Sequence, residues 1–291
     1  MTQHETPTQL AAWLESYIKG FVAQSPENSL KNQAGEKAWD EPLVGFSAGD
    51  DPLYAQCKEH IGPFFWRPEE IFNLTFPDQP AAADELSVVS WVLPQMAYTK
   101  KENAAQDTWP SERWTRARLF GEQFNRLLRA KVVEALSERG HVAVSPMLSP
   151  QWSFHMSEKY SWASTWSERH AAHIAGLGTF GLCDGLITPK GKAVRLGSAV
   201  VRAVLPPTPR PYVDHHAYCL FFTHGTCGKC IPRCPVKALS DHGHDKVLCR
   251  EHVMLKAEAY NVEHYGLKVE GCGLCQVKVP CASRIPLPAE G

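Results

Sequence analysis

Cysteine spacing constrains this chain more than any other feature of its sequence. Eight of its ten cysteines lie between positions 219 and 281. Six of them form two dense groups, which are Cys227, Cys230 and Cys234, and then Cys272, Cys275 and Cys281. Pro235 directly follows the first group, and Cys219 and Cys249 stand apart from both groups. Thiols at this density indicate a metal-binding region rather than ordinary core packing.

The spacing predicts two [4Fe–4S] clusters. Each cluster needs four ligands, and in two-cluster ferredoxins the run C-x2-C-x2-C-x3-C-P supplies three thiolates to one cluster and its last cysteine to the other. Cys227, Cys230 and Cys234 match the last three places of that run. Exchanging the far ligand in this way predicts a first set of Cys219, Cys227, Cys230 and Cys281, and a second set of Cys234, Cys249, Cys272 and Cys275.

The fourth ligand of the first set has two candidates. The first place of the ferredoxin run falls on His224, and Cys219 lies five residues upstream of it. With Cys219 the chain supplies eight thiolates for two clusters, whereas with His224 one iron receives a nitrogen ligand and Cys219 is left over. We favour Cys219 and keep His224 as the alternative.

Zinc sites and disulfide bonds are the other common uses of closely spaced cysteines. A four-cysteine zinc site would use half of these thiols and leave the Cys234-Pro235 pair unexplained. Disulfides need an oxidising compartment, and the first residues of the chain show neither the basic start nor the apolar core of a secretory signal. We therefore expect a cytoplasmic protein with two iron–sulfur clusters.

Charge and hydropathy limit the classes of partner. The 291 residues contain 30 Lys and Arg against 31 Asp and Glu, so no overall basic field attracts a polyanion. No apolar run reaches the roughly 18 residues that a membrane span requires. The sequence therefore predicts no membrane partner and does not favour nucleic acid as a partner.

Hydrophobic periodicity predicts both helices and strands in this chain. The predicted helices cover 9–24, a segment from Ser111 to a stop at Gly140, a segment that follows a capping box at Thr165 and ends at Gly176, and 252–260. The predicted strands cover 86–94, 141–144 and 195–204. Prolines make 206–211 an extended linker. This linker divides the chain into a first domain, 1–205, and a ferredoxin-like domain, 206–291.

A glycine-rich segment runs from Gly176 to Gly191, where the backbone must approach something closely. The spacing of Gly176, Gly178 and Gly181 matches a dinucleotide-binding fingerprint. That fingerprint belongs between a strand and a helix, whereas this one follows a helix. The segment therefore does not predict a Rossmann site. Cys183 lies within it and is expected to be a small buried hydrophobe, with a position facing a cofactor as the alternative.

The glycine segment and the cysteine groups together resemble the epoxyqueuosine reductases and the reductive dehalogenases. The similar stretches are Ala175–Gly181, Gly185–Gly191, Val194–Gly197 and the two cysteine groups with the lone Cys249 between them. The likeness covers residues 160–281, and the pairing of the two motifs is much more specific than either motif alone.

This resemblance implies a nitroreductase-like α+β domain that binds cobalamin, followed by a dicluster ferredoxin-like domain that passes it single electrons. The residues that would line the cobalamin are Gly176, Leu177, Gly178, Gly181, Gly185, Gly191, Arg195 and Gly197. The implied reaction is the reductive removal of oxygen or halide from a small organic substrate. The implied electron source is an external ferredoxin or flavodoxin.

The acidic proton donor of the epoxyqueuosine reductases has no counterpart here. It stands about fourteen positions before the first glycine of their signature, where this chain has Trp162. Tyr160 is two residues away, and the nearby cations Lys159 and Arg169 would favour proton donation by its hydroxyl. We predict Tyr160 as the proton donor, with an ordinary half-buried tyrosine as the alternative.

Two other functions stay open. An epoxyqueuosine reductase would act on tRNA, but the helical tail that helps those enzymes hold tRNA is not found after Cys281. A non-catalytic electron carrier would need only the cysteine region, so more than two hundred additional residues favour an enzyme. Cobalamin binding discriminates between the carrier and the enzyme.

Overall fold

Helices and strands alternate along the chain, which the computed structural model describes over residues 5–288. The helices are α1 (Pro7–Gln24), α2 (Pro52–Ile61), α3 (Pro68–Thr75), α4 (Ala97–Ala104), α5 (Glu112–Glu138), α6 (Glu168–Ile174), α7 (Leu220–His224), α8 (Lys246–Glu251) and α9 (Ala257–Tyr265), with a π-helical turn at His252–Lys256. The strands are β1 (Leu43–Ala48), β2 (Ser87–Pro94), β3 (Ala143–Val144), β4 (Phe154–Ser157), β5 (Ser161–Ser164), β6 (Thr179–Phe180), β7 (Leu186–Ile187), β8 (Val194–Val201), β9 (Leu239–Ser240) and β10 (Gly243–His244). Short 3₁₀ turns occur at Ala83–Glu85, Pro146–Leu148 and Leu274–Gln276.

This mixture of helices and strands confirms the α and β elements of the predicted fold class. The finer descriptions, a nitroreductase-like domain and a ferredoxin-like domain that meet at 205–206, stay predictions.

Four strands form one antiparallel sheet in the order β1-β2-β8-β3. Every residue of β2 is buried, which explains why this strand is visible in the sequence as a short continuous apolar run. Trp91 of β2 lies directly opposite Val44 of β1 on one side and Gly197 of β8 on the other. The sheet therefore fixes Gly197, which follows the glycine-rich segment, directly opposite Trp91.

Helices cover both faces of this sheet. On one face α1 and α5 pack against β2 and β8, and Leu14, Trp91 and Phe124 belong to the same buried cluster. On the other face Val88 shares a buried cluster with Ala171 of α6, together with residues of α2 and α3. Burying one large apolar side chain contributes about 1.5–3 kcal/mol, so these two layers are the main source of stability.

Helix starts were predicted with mixed success. Ser111 caps α5 as predicted, since its hydroxyl accepts a hydrogen bond from the N–H of Trp114 in the first turn. The capping box at Thr165 is wrong, because α6 begins after Ser167, whose hydroxyl accepts a hydrogen bond from the N–H of His170. Thr165 instead accepts from the N–H of Ser153. The contact between Thr165 and the start of the β4–β5 hairpin is nonlocal, so residue spacing along the chain did not reveal it.

The cysteine region packs against the helical layer through a buried arginine. Arg233 is 8% exposed and donates hydrogen bonds to the backbone oxygens of Asn103 and Gln106, which lie at the end of α4. The same guanidinium donates to the backbone oxygen of Leu274 in the second cysteine group. Arg233 therefore joins both cysteine groups to α4, because it directly precedes Cys234.

Candidate iron–sulfur site

The first predicted cysteine set surrounds one small cavity. Its walls include the side chains of Cys219, Cys227, Cys230 and Cys281. His224, the alternative ligand, is exposed on α7, and its Nδ1 shares a hydrogen bond of 2.7 Å with the hydroxyl of Thr223. The arrangement therefore favours a thiolate from Cys219 over a nitrogen from His224.

The second predicted set lies next to the first. Cys234 and Cys275 both pack against the buried cluster that contains Cys230 and Cys281. Burial raises the pKa of the Cys272 thiol to about 12, and the thiols of Cys249 and Cys234 contribute to this rise. The arrangement of these four thiols around a common cluster stays a prediction.

The donor chemistry of both sets fits iron–sulfur clusters. Burial raises the pKa of the Cys230 thiol to about 12 and raises that of Cys281. Such thiols stay protonated at neutral pH unless a metal displaces the proton. Within residues 5–288, no three His, Cys, Asp or Glu side chains converge closely enough for a single metal ion. A [4Fe–4S] cube is larger than one ion, so its ligands do not converge on one point.

Two residues that were not predicted as site residues lie between the cysteine sets. Lys192 is 2% exposed, and its Nζ lies 3.2 Å from Sγ of Cys183. A hydrogen bond with Cys275 lowers the pKa of Cys183 against the effect of burial, and Lys192 lowers it further. Cys183 is buried as expected in an apolar cluster, with Lys192 as a polar neighbour. A lysine in a glycine-rich loop is usually solvated, so no sequence signal indicated this position.

A third unpredicted residue, His244, lies beside the second set. Its Nδ1 is 2.9 Å from a carboxylate oxygen of Asp184. Burial opposes a charge on this ring, but hydrogen bonds with Asp184 and Cys249 outweigh it and raise the pKa of His244 to about 10. The second set therefore has a cationic hydrogen-bond donor next to Cys249.

Protein atoms, rather than open space, face the glycines that the resemblance places around cobalamin. A Cβ added to Gly178 would overlap the backbone of Ile187. A Cβ added to Gly197 would lie 2.5 Å from Cζ2 of Trp91. At Gly176, which has a φ of +78°, a Cβ would lie 2.8 Å from the backbone oxygen of Pro209. Close packing within the protein is thus sufficient to explain these three glycines.

The rest of the glycine segment faces the cysteines. Gly181 is part of the wall of the first cysteine cavity. A Cβ on Gly185 would lie 3.4 Å from Sγ of Cys183, and one on Gly191 would overlap the backbone next to Cys281. Leu177 is buried in the apolar cluster on the α6 side of the sheet. These contacts provide no cradle for cobalamin, so the cobalamin-lining role of the segment stays a prediction.

Arg195 is held by an ion pair inside the protein. Its Nε donates to Glu122 of α5, and Glu122 also accepts from Nη1 of Arg129 at 2.9 Å. Burial would raise the pKa of Glu122, but Arg195 and Arg129 outweigh it and lower the pKa to about 2. The Glu122 carboxylate therefore holds Arg195 in place. The predicted contact of Arg195 with polar groups of the cofactor stays a prediction.

Replacing Glu122 with glutamine is expected to destabilise the protein by about 2 kcal/mol at neutral pH. A carboxylate whose folded pKa lies below its unfolded value contributes stability above about pH 5 and loses it as the pH falls. The difference between wild type and Glu122→Gln should therefore be constant above about pH 5 and shrink between about pH 4.5 and about pH 2. Chemical denaturation at these pH values measures it, with the more exposed Glu112→Gln as control. A difference that is constant with pH would contradict the role of the Glu122 charge.

Tyr160 lies in the turn of the β4–β5 hairpin and contacts the helix that carries the lone cysteine. Nζ of Lys246, at the start of α8, is 4.8 Å from the centre of the Tyr160 ring, and Nζ of Lys159 is 5.5 Å from it. Arg169, the other predicted cation, instead donates to the backbone oxygen of Asp184. The proton-donor role of Tyr160 stays a prediction.

Solved structures of similar shape include a catabolic reductive dehalogenase, NpRdhA, in complex with 3-bromo-4-hydroxybenzoic acid. It matches with a TM-score of 0.52 and 15% identity over 98% of this chain and 38% of that chain. A reductive dehalogenase whose structure suggests a mechanism for B12-dependent dehalogenation matches with a TM-score of 0.51 and 17% identity, over 96% and 38% of the two chains. The fold is similar to that of part of these reductive dehalogenases. The predicted resemblance to this superfamily is thereby confirmed at the level of the fold.

Epoxyqueuosine reductases are also among the similar structures. The Bacillus subtilis enzyme matches with a TM-score of 0.48 and 17% identity over 98% of this chain and 68% of that chain. The chain thus spans about two thirds of the epoxyqueuosine reductase and well under half of the dehalogenases. No protein-family description and no curated protein matches the sequence.

The expectation that nucleic acid is an unlikely partner is contradicted by one of the similar structures, which is an epoxyqueuosine reductase with an epoxyqueuosine-modified tRNA stem loop. A balanced net charge averages over the whole surface, whereas RNA is bound by a local surface, so the charge count was a poor ground for exclusion. For membranes, the described part of the chain, 5–288, has no helix that is long and apolar enough to span one.

Proposed function

We propose that this protein is an iron–sulfur oxidoreductase that uses single electrons, relayed through two [4Fe–4S] clusters, for the reductive removal of a leaving group from a bound substrate. The observation that carries the proposal is the cavity whose walls contain Cys219, Cys227, Cys230 and Cys281. When bound, the clusters supply low-potential one-electron transfer. The domains proposed for this work are a nitroreductase-like unit, 1–205, and a ferredoxin-like unit, 206–291.

The chain's own residues would isolate and connect the clusters. Apolar side chains of Leu182 and Ile187 line the first cavity and keep water from it. Cys275 of the second set packs against the buried cluster that contains Cys183, Cys230 and Cys281, and Lys192, the neighbour of Cys183, lines the first cavity. This packing supports electron transfer between two neighbouring clusters.

Cobalamin is proposed as a further cofactor on the strength of the shared fold alone. The glycines expected to line it pack against protein atoms, so these residues do not fit it as a cradle, and no step is derived through it. Tyr160 is proposed as the proton donor to the leaving group because Lys246 and Lys159 lie near its ring.

A non-catalytic electron carrier is the second candidate. The same packing of the glycine segment against protein atoms favours it, since a carrier needs clusters and no substrate cavity. In either case the electrons would come from an external donor such as a ferredoxin or flavodoxin.

Iron analysis tests the shared part of both proposals. Protein purified without oxygen should be brown and contain about eight iron atoms and about eight sulfides per chain. A colourless protein that contains zinc in place of iron would contradict the proposal.

Cobalamin binding and turnover separate the enzyme from the carrier. Equilibrium dialysis of the iron-loaded protein should give saturation with cobalamin at or below tens of micromolar, on the scale of functional cofactor sites. Two probes, 3-bromo-4-hydroxybenzoic acid and an epoxyqueuosine-modified tRNA stem loop, then test the two classes of substrate. Absence of cobalamin binding with full iron content would favour the carrier.

A further inference from the structure

Lys192 is a buried lysine that lies among cysteines. It is 2% exposed, and Nζ lies 3.2 Å from Sγ of Cys183. Cys183 packs in one buried cluster with Cys230 and Cys281 of the first predicted set, and Cys275 of the second set packs against that cluster. Lys192 therefore lies near both predicted sets. The nearby Lys190, by contrast, is more than a third exposed and pairs with Glu41 at 3.6 Å.

The backbone around Lys192 packs against the end of the second cysteine group. Its N–H donates to the backbone oxygen of Cys281 at 2.9 Å, and the N–H of Ala193 donates to that of Ala282. Gly191 has a φ of +85°, and a Cβ there would overlap the backbone of Ala282. The loop therefore lies flat against the last cysteine of the first set, and the Lys192 side chain lines the cysteine cavity.

A buried ammonium without an anionic partner is strongly unfavourable. The hydrogen bond between Nζ of Lys192 and Sγ of Cys183 offsets only part of that cost. A [4Fe–4S] cluster with four thiolate ligands is anionic, and it becomes more anionic when it is reduced. Two such clusters near Lys192 would supply further negative charge.

We propose that Lys192 is a counter-cation shared by the two clusters, and that it raises the reduction potential of both. Reduction adds negative charge beside the ammonium, so the charge favours the reduced state of each cluster. Lys192 is a positioning residue, because it acts on the clusters rather than on substrate. The inference rests on the proposed iron–sulfur function and goes beyond it by naming what tunes the relay.

Removing the charge should shift both potentials in one direction. Lys192→Met keeps an unbranched apolar stem of similar length and removes the ammonium. In redox titrations of the anaerobic protein followed by electron paramagnetic resonance, both clusters of Lys192→Met should titrate at lower potential than in wild type, with iron content unchanged. Lys192→Arg keeps the charge and should leave both potentials near those of wild type. Lys190→Met is the matched control and should change neither.

Each outcome decides the proposal. Unchanged potentials in an iron-replete Lys192→Met protein would overturn it, and a shift confined to one cluster would overturn the shared role. If Lys192→Met does not retain iron, the Lys192→Arg protein decides the proposal. Retained iron in Lys192→Arg would support a requirement for the charge. Loss of iron from both variants would indicate a packing role and overturn the electrostatic one. Absence of iron from the wild type would instead overturn the proposed function itself.

Discussion

Replacing Cys230 with alanine is expected to halve the iron content of the anaerobically purified protein, from about eight to about four atoms per chain. Cys230 is buried in the wall of the first cavity, where three other thiols complete the set. A cube that loses one of its four thiolates is destabilised, whereas the second set keeps all four of its ligands. Iron and sulfide analysis, together with the electron paramagnetic resonance spectrum of the reduced protein, measures the loss.

Cys183→Ala is the matched control for this prediction. Cys183 is as buried as Cys230 and packs in the same cluster, yet it belongs to neither predicted set. The Cys183→Ala protein should therefore retain about eight iron atoms per chain. Cys272→Ala should also halve the iron, but it should leave the resonance signal of the other cluster. Equal losses in the Cys183 and Cys230 variants would show that the cysteines are partitioned wrongly.

The same count decides between the two candidates for the fourth ligand. Cys219→Ala should lose about four iron atoms. His224→Ala should lose none, because His224 is exposed and shares a hydrogen bond with Thr223 outside the cavity. A loss in the His224 variant with none in the Cys219 variant would reverse this choice.

Features that depend on neighbours in the sequence were predictable, and those that depend on distant contacts were not. Strand β2 was predicted from its apolar run, and α5 from its period and its Ser111 cap, because both signals are local. The cysteine sets rest on counting ligands and stay predictions. The burial of Lys192 was missed because it depends on contacts with the backbone of Cys281 and Ala282, some ninety residues away.

The glycine segment shows where local inference ends. Its density correctly indicated that the backbone comes close to something. The sequence does not say what that something is, and the resemblance suggested cobalamin. In the fold, Gly178 approaches Ile187 and Gly197 approaches Trp91, both within the protein. A glycine pattern alone therefore does not distinguish a cofactor from the protein's own packing.

Gly197→Ala is expected to destabilise the protein by about 3 kcal/mol even without cobalamin. Gly197 lies opposite Trp91 in the β2–β8 register, and a Cβ would lie 2.5 Å from Cζ2 of the indole. That ring is fully buried, and its Nε1 donates to Oδ1 of Asn125 at 2.9 Å, so it has no room to move aside. Gly20→Ala, in α1 with nothing near its Cβ position, should instead stabilise by about 0.5–1 kcal/mol. Anaerobic chemical denaturation compares both variants with wild type. A Gly197→Ala protein as stable as wild type but unable to bind cobalamin would show that this glycine serves the cofactor, whereas the predicted loss in cobalamin-free protein indicates that it serves the sheet.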